Sequence, residues 1–223
     1  MAKKFSLFYG ILYKSYTKRT MDIVLSLIAL AIFAIPAIII MLLIKLTSKG
    51  PIFADVPERI GEGEHKFKMF KFRSMIENAH SLLRTDPRFK ELYVQYKKGS
   101  YKLYNDPRVT KIGKFIRKHS LDELPQLFNV LKGDMSLVGP RAYYPDELKN
   151  QQKVYPHTQQ LVKKVLSVKP GITGLWQVSG RSEINFDERI VIDAKYVDEI
   201  SLKNDIMIIL KTPLVMLTGR GAV

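Results

Sequence analysis

The chain is 223 residues long and carries 36 Lys and Arg against 21 Asp and Glu, a formal net charge of +15. That balance calls for an anionic partner, and nucleic acid, phospholipid headgroups and phosphorylated small molecules all qualify. The absence of cysteine excludes disulfides, thiolate metal sites and cysteine nucleophiles, and His65, His80, His119 and His157 show no metal-ligand spacing.

Residues 1–20 form a basic segment with Lys3, Lys4, Lys14, Lys18 and Arg19. Residues 23–44, IVLSLIALAIFAIPAIIIMLLI, then run 22 positions without a charge. This exceeds the roughly 18 apolar residues that mark a membrane helix. It is too long for a signal-peptide core, and no small-residue cleavage site follows it. Lys45 and Lys49 come next, so the positive-inside rule draws both ends of the segment toward the cytoplasm. A straight span leaves one end on the wrong side, whereas a helix that enters and returns satisfies both. Pro36, near the middle, removes a backbone hydrogen bond and bends a helix there. Prolines also kink ordinary spanning helices, so the residues alone leave both topologies open.

After the Gly50-Pro51 turn signal, residues 51–72 read as short strands and turns, with Gly61 and Gly63 as hairpin turn residues. In HKFKMFKF, residues 65–72, basic and apolar side chains alternate. This pattern buries Phe67, Met69 and Phe70 or Phe72 and presents Lys66, Lys68 and Lys71. Residues 76–96 read as helix, interrupted at Asp86-Pro87, and Asp106-Pro107 marks another loop. Residues 111–118 have helical spacing at Ile112, Phe115 and Ile116. Ser120-Leu121-Asp122-Glu123 has the form of a capping box opening a helix toward Val130, although Pro125 suits a start one or two residues later. Near the C-terminus DIMIILKTPLVML, residues 205–217, is apolar but too short at 13 residues to cross a bilayer. It reads as an interfacial helix.

Two polar constellations stand out. The first, residues 114–141, contains Arg117, Lys118, Asp122, Glu123, Lys132, Asp134 and Arg141. Adjacent carboxylates beside a helix N-terminus can hold Mg²⁺ over a diphosphate, and one of them can attack phosphorus. Arginines nearby can take up charge on phosphoryl oxygens. The plainer account is that acids in a first helical turn complement the helix dipole. The second is VKPGITGLWQVSGR, residues 168–181, with Gly171, Gly174 and Gly180 for tight turns or close ligand approach, and Lys169 and Arg181 for charge. Its Trp176 suits base stacking, a lipid interface or simple packing in a structural loop.

Together these segments resemble the bacterial sugar transferase family, the monotopic phosphoglycosyltransferases that act on polyprenyl phosphate. The resemblance is carried by KRTMDIVLSL (residues 18–27), GPIF (50–53), FKMFKFRSM (67–75), DPRVTKIGKFIRKHSLDELPQLFNVLKGDMSLVGPR (106–141) and VKPGITGLWQVSGR. It implies that Asp122 is the nucleophile that takes a phosphosugar from a UDP-sugar, releasing UMP before polyprenyl phosphate attacks. It also implies that Glu123 assists by metal binding or proton transfer, and that Asp122 and Glu123 hold Mg²⁺. Arg117 and Arg141 fall on the family's motif arginines, and with Lys71, Arg73, Lys169 and Arg181 they form the expected phosphate-contact set. The family's membrane segment is a re-entrant helix broken at a proline, here Pro36. Two departures are Ile35, where members often have serine, and Ala142, where members often have a second proline.

The expected fold is therefore α+β, mostly helical, with a small β-hairpin region, one re-entrant membrane helix and interfacial amphipathic helices. The expected divisions are the basic segment 1–20, the membrane helix 21–46 and a catalytic domain 47–223 on the cytoplasmic face of the bacterial inner membrane. On the resemblance the chain reads as the catalytic form without the extra membrane helices and regulatory domain of larger relatives. The expected partners are a UDP-sugar, undecaprenyl phosphate and membrane lipids, and a homodimer is allowed. Nucleic acid is not expected, because no helix-turn-helix or aromatic-rich binding pattern is present.

Overall fold

The computed structural model describes residues 13–98, 101, 103, 105–180 and 184–219, and it is mostly helical. The longest element is α1, Lys18–Thr47, 30 residues with Pro36 inside and no secondary-structure break across it. At 1.5 Å per residue it is about 45 Å long. Its burial is confined to its two ends, at Asp22 and Ser26 and again at Ile40 and Ile44. Between them Leu27, Ile28, Ile32, Ile35, Ile38 and Ile39 are exposed.

Next come β1 (Arg59–Ile60) and β2 (Lys66–Phe67), an antiparallel hairpin in the register Arg59 to Phe67 and Ile60 to Lys66. The hairpin bends at Gly61 and Gly63 as the sequence suggests, with Gly63 in the left-handed region at φ 62°. Phe67, Met69 and Phe72 are buried, so the alternation slips at Phe70 and Lys71. Helices α2 (Ala79–Thr85) and α3 (Lys90–Lys98) flank the Asp86-Pro87 break. The first starts three residues later than the pattern indicates. Met75 and Ile76 are instead drawn into bridging with Val109 and Arg108.

Helix α4 (Lys111–Lys118) is capped by the Thr110 side chain, which accepts from the Gly113 N–H at 3.0 Å. The expected capping box at Ser120 does not form. Ser120 sits at φ 54° without a capping hydrogen bond, Leu121–Glu123 make a 3₁₀ turn, and α5 starts only at Gln126 (Gln126–Lys132). That turn brings the Asp122 carbonyl to the Phe72 N–H, 2.9 Å away.

The remaining elements are β3 (Ser136–Val138), α6 (Pro145–Val154), α7 (Gln159–Val165), β4 (Gly171–Thr173), α8 (Leu175–Ser179), α9 (Phe186–Asp198) and α10 (Leu202–Thr218). Strands β3 and β4 pair in parallel. Gly171 and Gly174 lie so close to Gly139 that a Cβ on either would overlap its backbone. These glycines thus serve chain packing. Phe186, Ile190 and Ala194 of α9 pack with Val162 and Val165 of α7 and with Tyr143 and Leu148.

The base of α1 is tied to this body by polar contacts. Asp22 accepts from Ser136 Oγ (2.8 Å) and the Leu137 N–H (3.0 Å). Lys18 Nζ meets Asp205 of α10 at 2.5 Å and the Val138 carbonyl at 2.9 Å. Arg19 donates to the Val130 and Leu131 carbonyls at the end of α5, at 2.6 and 2.9 Å. At its other end, Ile40 and Ile44 pack with Phe72 and Ile116. Helix α10 continues beyond the expected apolar run and exposes Leu202, Ile206, Leu210, Leu214 and Leu217.

Candidate active site

A cavity of about 290 Å³ opens among the irregular segments between these helices. Lys71 shares the parity of Phe67 and Met69 and reaches it. The connecting backbone is held by hydrogen bonds from the Ala54 N–H to the Lys71 carbonyl (2.9 Å) and from the Arg73 N–H to the Ile52 carbonyl (2.8 Å). The 3₁₀ turn delivers Asp122 and Glu123 to the same wall. Lys71 Nζ stands 2.6 Å from Glu123 Oε1 and 3.6 Å from Asp122 Oδ2, so one cation serves both carboxylates.

Asp122 is only 7% exposed. Burial raises its pKa above the usual carboxylate range. The Lys71 charge opposes that rise, Glu123 adds to it, and Arg117 opposes it again. Arg117, from the last turn of α4, lines the cavity together with Arg141. The Arg141 guanidinium lies 5.6 Å from the centre of the Trp176 ring, and its backbone N–H donates to Asp193 Oδ2 at 3.3 Å. Trp176 is thus a buried packing partner of that arginine.

The remaining expected contacts are distributed differently. Arg73 lines the cavity, but its guanidinium is bound to the Ser48 carbonyl (3.0 Å), to Ser48 Oγ (2.9 Å) and to the Lys49 carbonyl. These acceptors lie just past the C-terminal end of α1, where helix carbonyls attract a cation. Lys169 does not line the cavity and sits beside Gly133 and Arg19 at the end of α5. Arg181 lies outside the described residues.

Among the basic side chains of the cavity wall, Arg59, His80 and Arg108 are not candidates by the sequence pattern. Arg108 is held by Asp106 at 2.5 Å and donates to the Ala79 carbonyl. His80 has its pKa lowered to about 4, first by burial and next by the charge of Arg59, so it is neutral at physiological pH. Arg59 is 5% exposed, stacks 3.3 Å from the centre of the Tyr144 ring and donates to the Ala142 carbonyl at 3.1 Å.

Among the described residues no three His, Asp or Glu side chains converge as a metal cage. The cavity does offer two hard carboxylates, Asp122 and Glu123, side by side. Mg²⁺ is commonly held by one or two carboxylates, with substrate phosphates and water completing its shell. The donor set fits that mode of binding.

The sequence pattern of the family described as Bacterial sugar transferase matches residues 13–219. The chain is 46% identical over 211 residues to an undecaprenyl-phosphate galactose phosphotransferase of Salmonella typhimurium, covering 93% of the chain and 42% of that protein. It is 38% identical over 205 residues to the exopolysaccharide production protein ExoY of Rhizobium meliloti, covering 92% of the chain and 87% of that protein. It is 38% identical over 202 residues to an undecaprenyl-phosphate glucose phosphotransferase of Komagataeibacter xylinus, covering 87% of the chain and 35% of that protein. The chain thus spans less than half the length of several curated relatives it matches.

Proposed function

The chain belongs to the bacterial sugar transferase family, and from that premise we propose that it transfers a hexose-1-phosphate from a UDP-sugar to undecaprenyl phosphate, releasing UMP, in the assembly of a surface glycan. The observation that carries this reading is the buried Asp122 carboxylate, paired with Glu123 through Lys71 on the wall of a cation-lined cavity. An Asp122 oxygen attacks the sugar-bearing phosphorus, the bond from that phosphorus to the UMP oxygen breaks, and UMP departs. An oxygen of undecaprenyl phosphate then attacks the phosphorus of the aspartyl phosphosugar, and Asp122 leaves as a free carboxylate. Lys71 opposes the rise that burial gives the Asp122 pKa and so favours its carboxylate form, and Arg117 and Arg141 stabilise charge on the phosphoryl oxygens. Asp122 and Glu123 would hold Mg²⁺, which when bound neutralises charge on the donor diphosphate.

We further propose that α1 enters the cytoplasmic leaflet of the inner membrane and returns. The support is its two-ended burial: Asp22 and Ser26 at one end and Ile40 and Ile44 at the other both lie against the same globular body. The stretch between them exposes apolar side chains. The exposed apolar stripe of α10 suits a helix lying in the interface, and the Lys18–Asp205 pair fixes it beside the base of α1.

The test is UMP release from UDP-galactose, UDP-glucose and UDP-N-acetylgalactosamine by protein in nanodiscs, with and without Mg²⁺ and undecaprenyl phosphate. Asp122→Asn is expected to lower UMP release about a thousandfold or more with at least one of these donors. Undiminished release by that variant would refute the assignment.

A further inference from the structure

The buried and half-buried arginines of this protein differ in how their charge is met. Arg108 has Asp106 at 2.5 Å, Arg189 has Glu147 at 2.8 Å, and Arg73 sits on the carbonyls that end α1. Arg59 and Arg141 have no carboxylate within ion-pair distance among the described residues. The Nε of each is buried without a hydrogen-bond partner, and both guanidiniums line the cavity that contains Asp122. A charge without an ion-pair partner is costly away from water, so buried Arg59 and half-buried Arg141, both on one cavity wall, favour an anion between them. Burial lowers the Arg141 pKa most, the Glu147 charge opposes that, and the charges of Arg189 and then Arg59 add to it.

Both guanidiniums are also fixed in place. Arg59 lies flat on Tyr144 and holds the Ala142 carbonyl, and Arg141 lies over Trp176. A planar guanidinium pinned by an aromatic face keeps its N–H fork aimed at phosphate oxygens without losing further rotamer freedom.

Resting on the transfer reading above, we infer that Arg59 and Arg141 form a second phosphate subsite, which holds the nucleotide phosphate of the donor while Asp122 attacks the sugar-bearing one. As the Asp122 oxygen bonds to the sugar-bearing phosphorus, the electron pair of the breaking bond stays on the nucleotide phosphate oxygen. No proton has to be supplied, because UMP leaves as an anion into the field of these two arginines. The nucleotide is favoured over the lipid phosphate because no residue of α1 or α10, the two elements with exposed apolar surface, lines this cavity.

The experiment compares wild type, Arg59→Gln and Arg59→Lys in nanodiscs. It measures UMP affinity by calorimetry, UMP product inhibition, and the KM for undecaprenyl phosphate. Thermal melting reports whether each variant folds. Arg59→Gln is expected to weaken UMP binding and UMP inhibition at least tenfold with the KM for undecaprenyl phosphate unchanged, and Arg59→Lys is expected to fall between it and wild type. If Arg59→Gln does not fold, Arg59→Lys decides alone, and wild-type UMP affinity in it overturns the subsite. A variant that binds UMP normally but loses saturation by undecaprenyl phosphate overturns the nucleotide assignment in favour of the acceptor. Wild-type protein that releases UMP while these variants behave identically defeats only the subsite. Wild-type protein that neither binds nor releases UMP defeats the transfer reading as well.

Discussion

At the residue scale, Asp193 shows how burial near the site should appear in solution. Its carboxyl is fully buried on α9, where one oxygen accepts from the Arg141 N–H and from Tyr143 Oη at 3.0 Å, while Oδ1 has no partner. Burial lifts its pKa to about 7, against the hydrogen bonds from Arg141 and Tyr143 and the charges of Arg189 and Arg141. A folded pKa raised above the unfolded value means stabilisation that is complete below about pH 4 and lost as pH rises through about 7. Thermal midpoints should therefore fall between about pH 4 and 7 in wild type, and fall less in Asp193→Asn, which keeps an acceptor for Tyr143. Equal slopes in the two proteins would assign the pH dependence elsewhere. Asp122 and Glu123 stand out in the sequence because an adjacent carboxylate pair is a local pattern, and the structure sets both on the cavity wall. Arg59 was not, since the partners that bury it, Ala142 and Tyr144, lie more than 80 positions away and are brought up by the bridge of Ile60 with Tyr143.

At the element scale, α1 carries the clearest sequence signal and the least legible anchoring. A charge-free apolar run announces the helix by itself. Lys18 and Arg19 read only as positive charges flanking it, yet they bind Asp205 and the α5 carbonyls, more than 100 positions away. The Ser120 capping box was misread for a related reason. The tertiary pairing of the Asp122 carbonyl with the Phe72 N–H favours a 3₁₀ turn over the local helix start. The proposed topology of α1 can be checked directly, because the chain has no cysteine to interfere. Tyr16→Cys and Lys45→Cys should both react with a membrane-impermeant maleimide from the cytoplasmic side alone. Labelling from opposite sides would make α1 a span.

At the scale of the whole molecule, the exposed apolar surfaces of α1 and α10 adjoin at the Lys18–Asp205 pair, while the cavity is lined by neither element. On the proposed function, this separation would give a soluble nucleotide sugar and a lipid-borne phosphate different approaches to Asp122. Intact-mass and peptide mass spectrometry tests the central claim most directly, with protein incubated with Mg²⁺ and its UDP-sugar but no undecaprenyl phosphate. The account predicts a hexose-phosphate adduct on the peptide containing Asp122, removed by adding undecaprenyl phosphate and absent in Asp122→Asn. Steady turnover to lipid-linked product with no adduct at Asp122, and with Asp122→Asn still active, would contradict it.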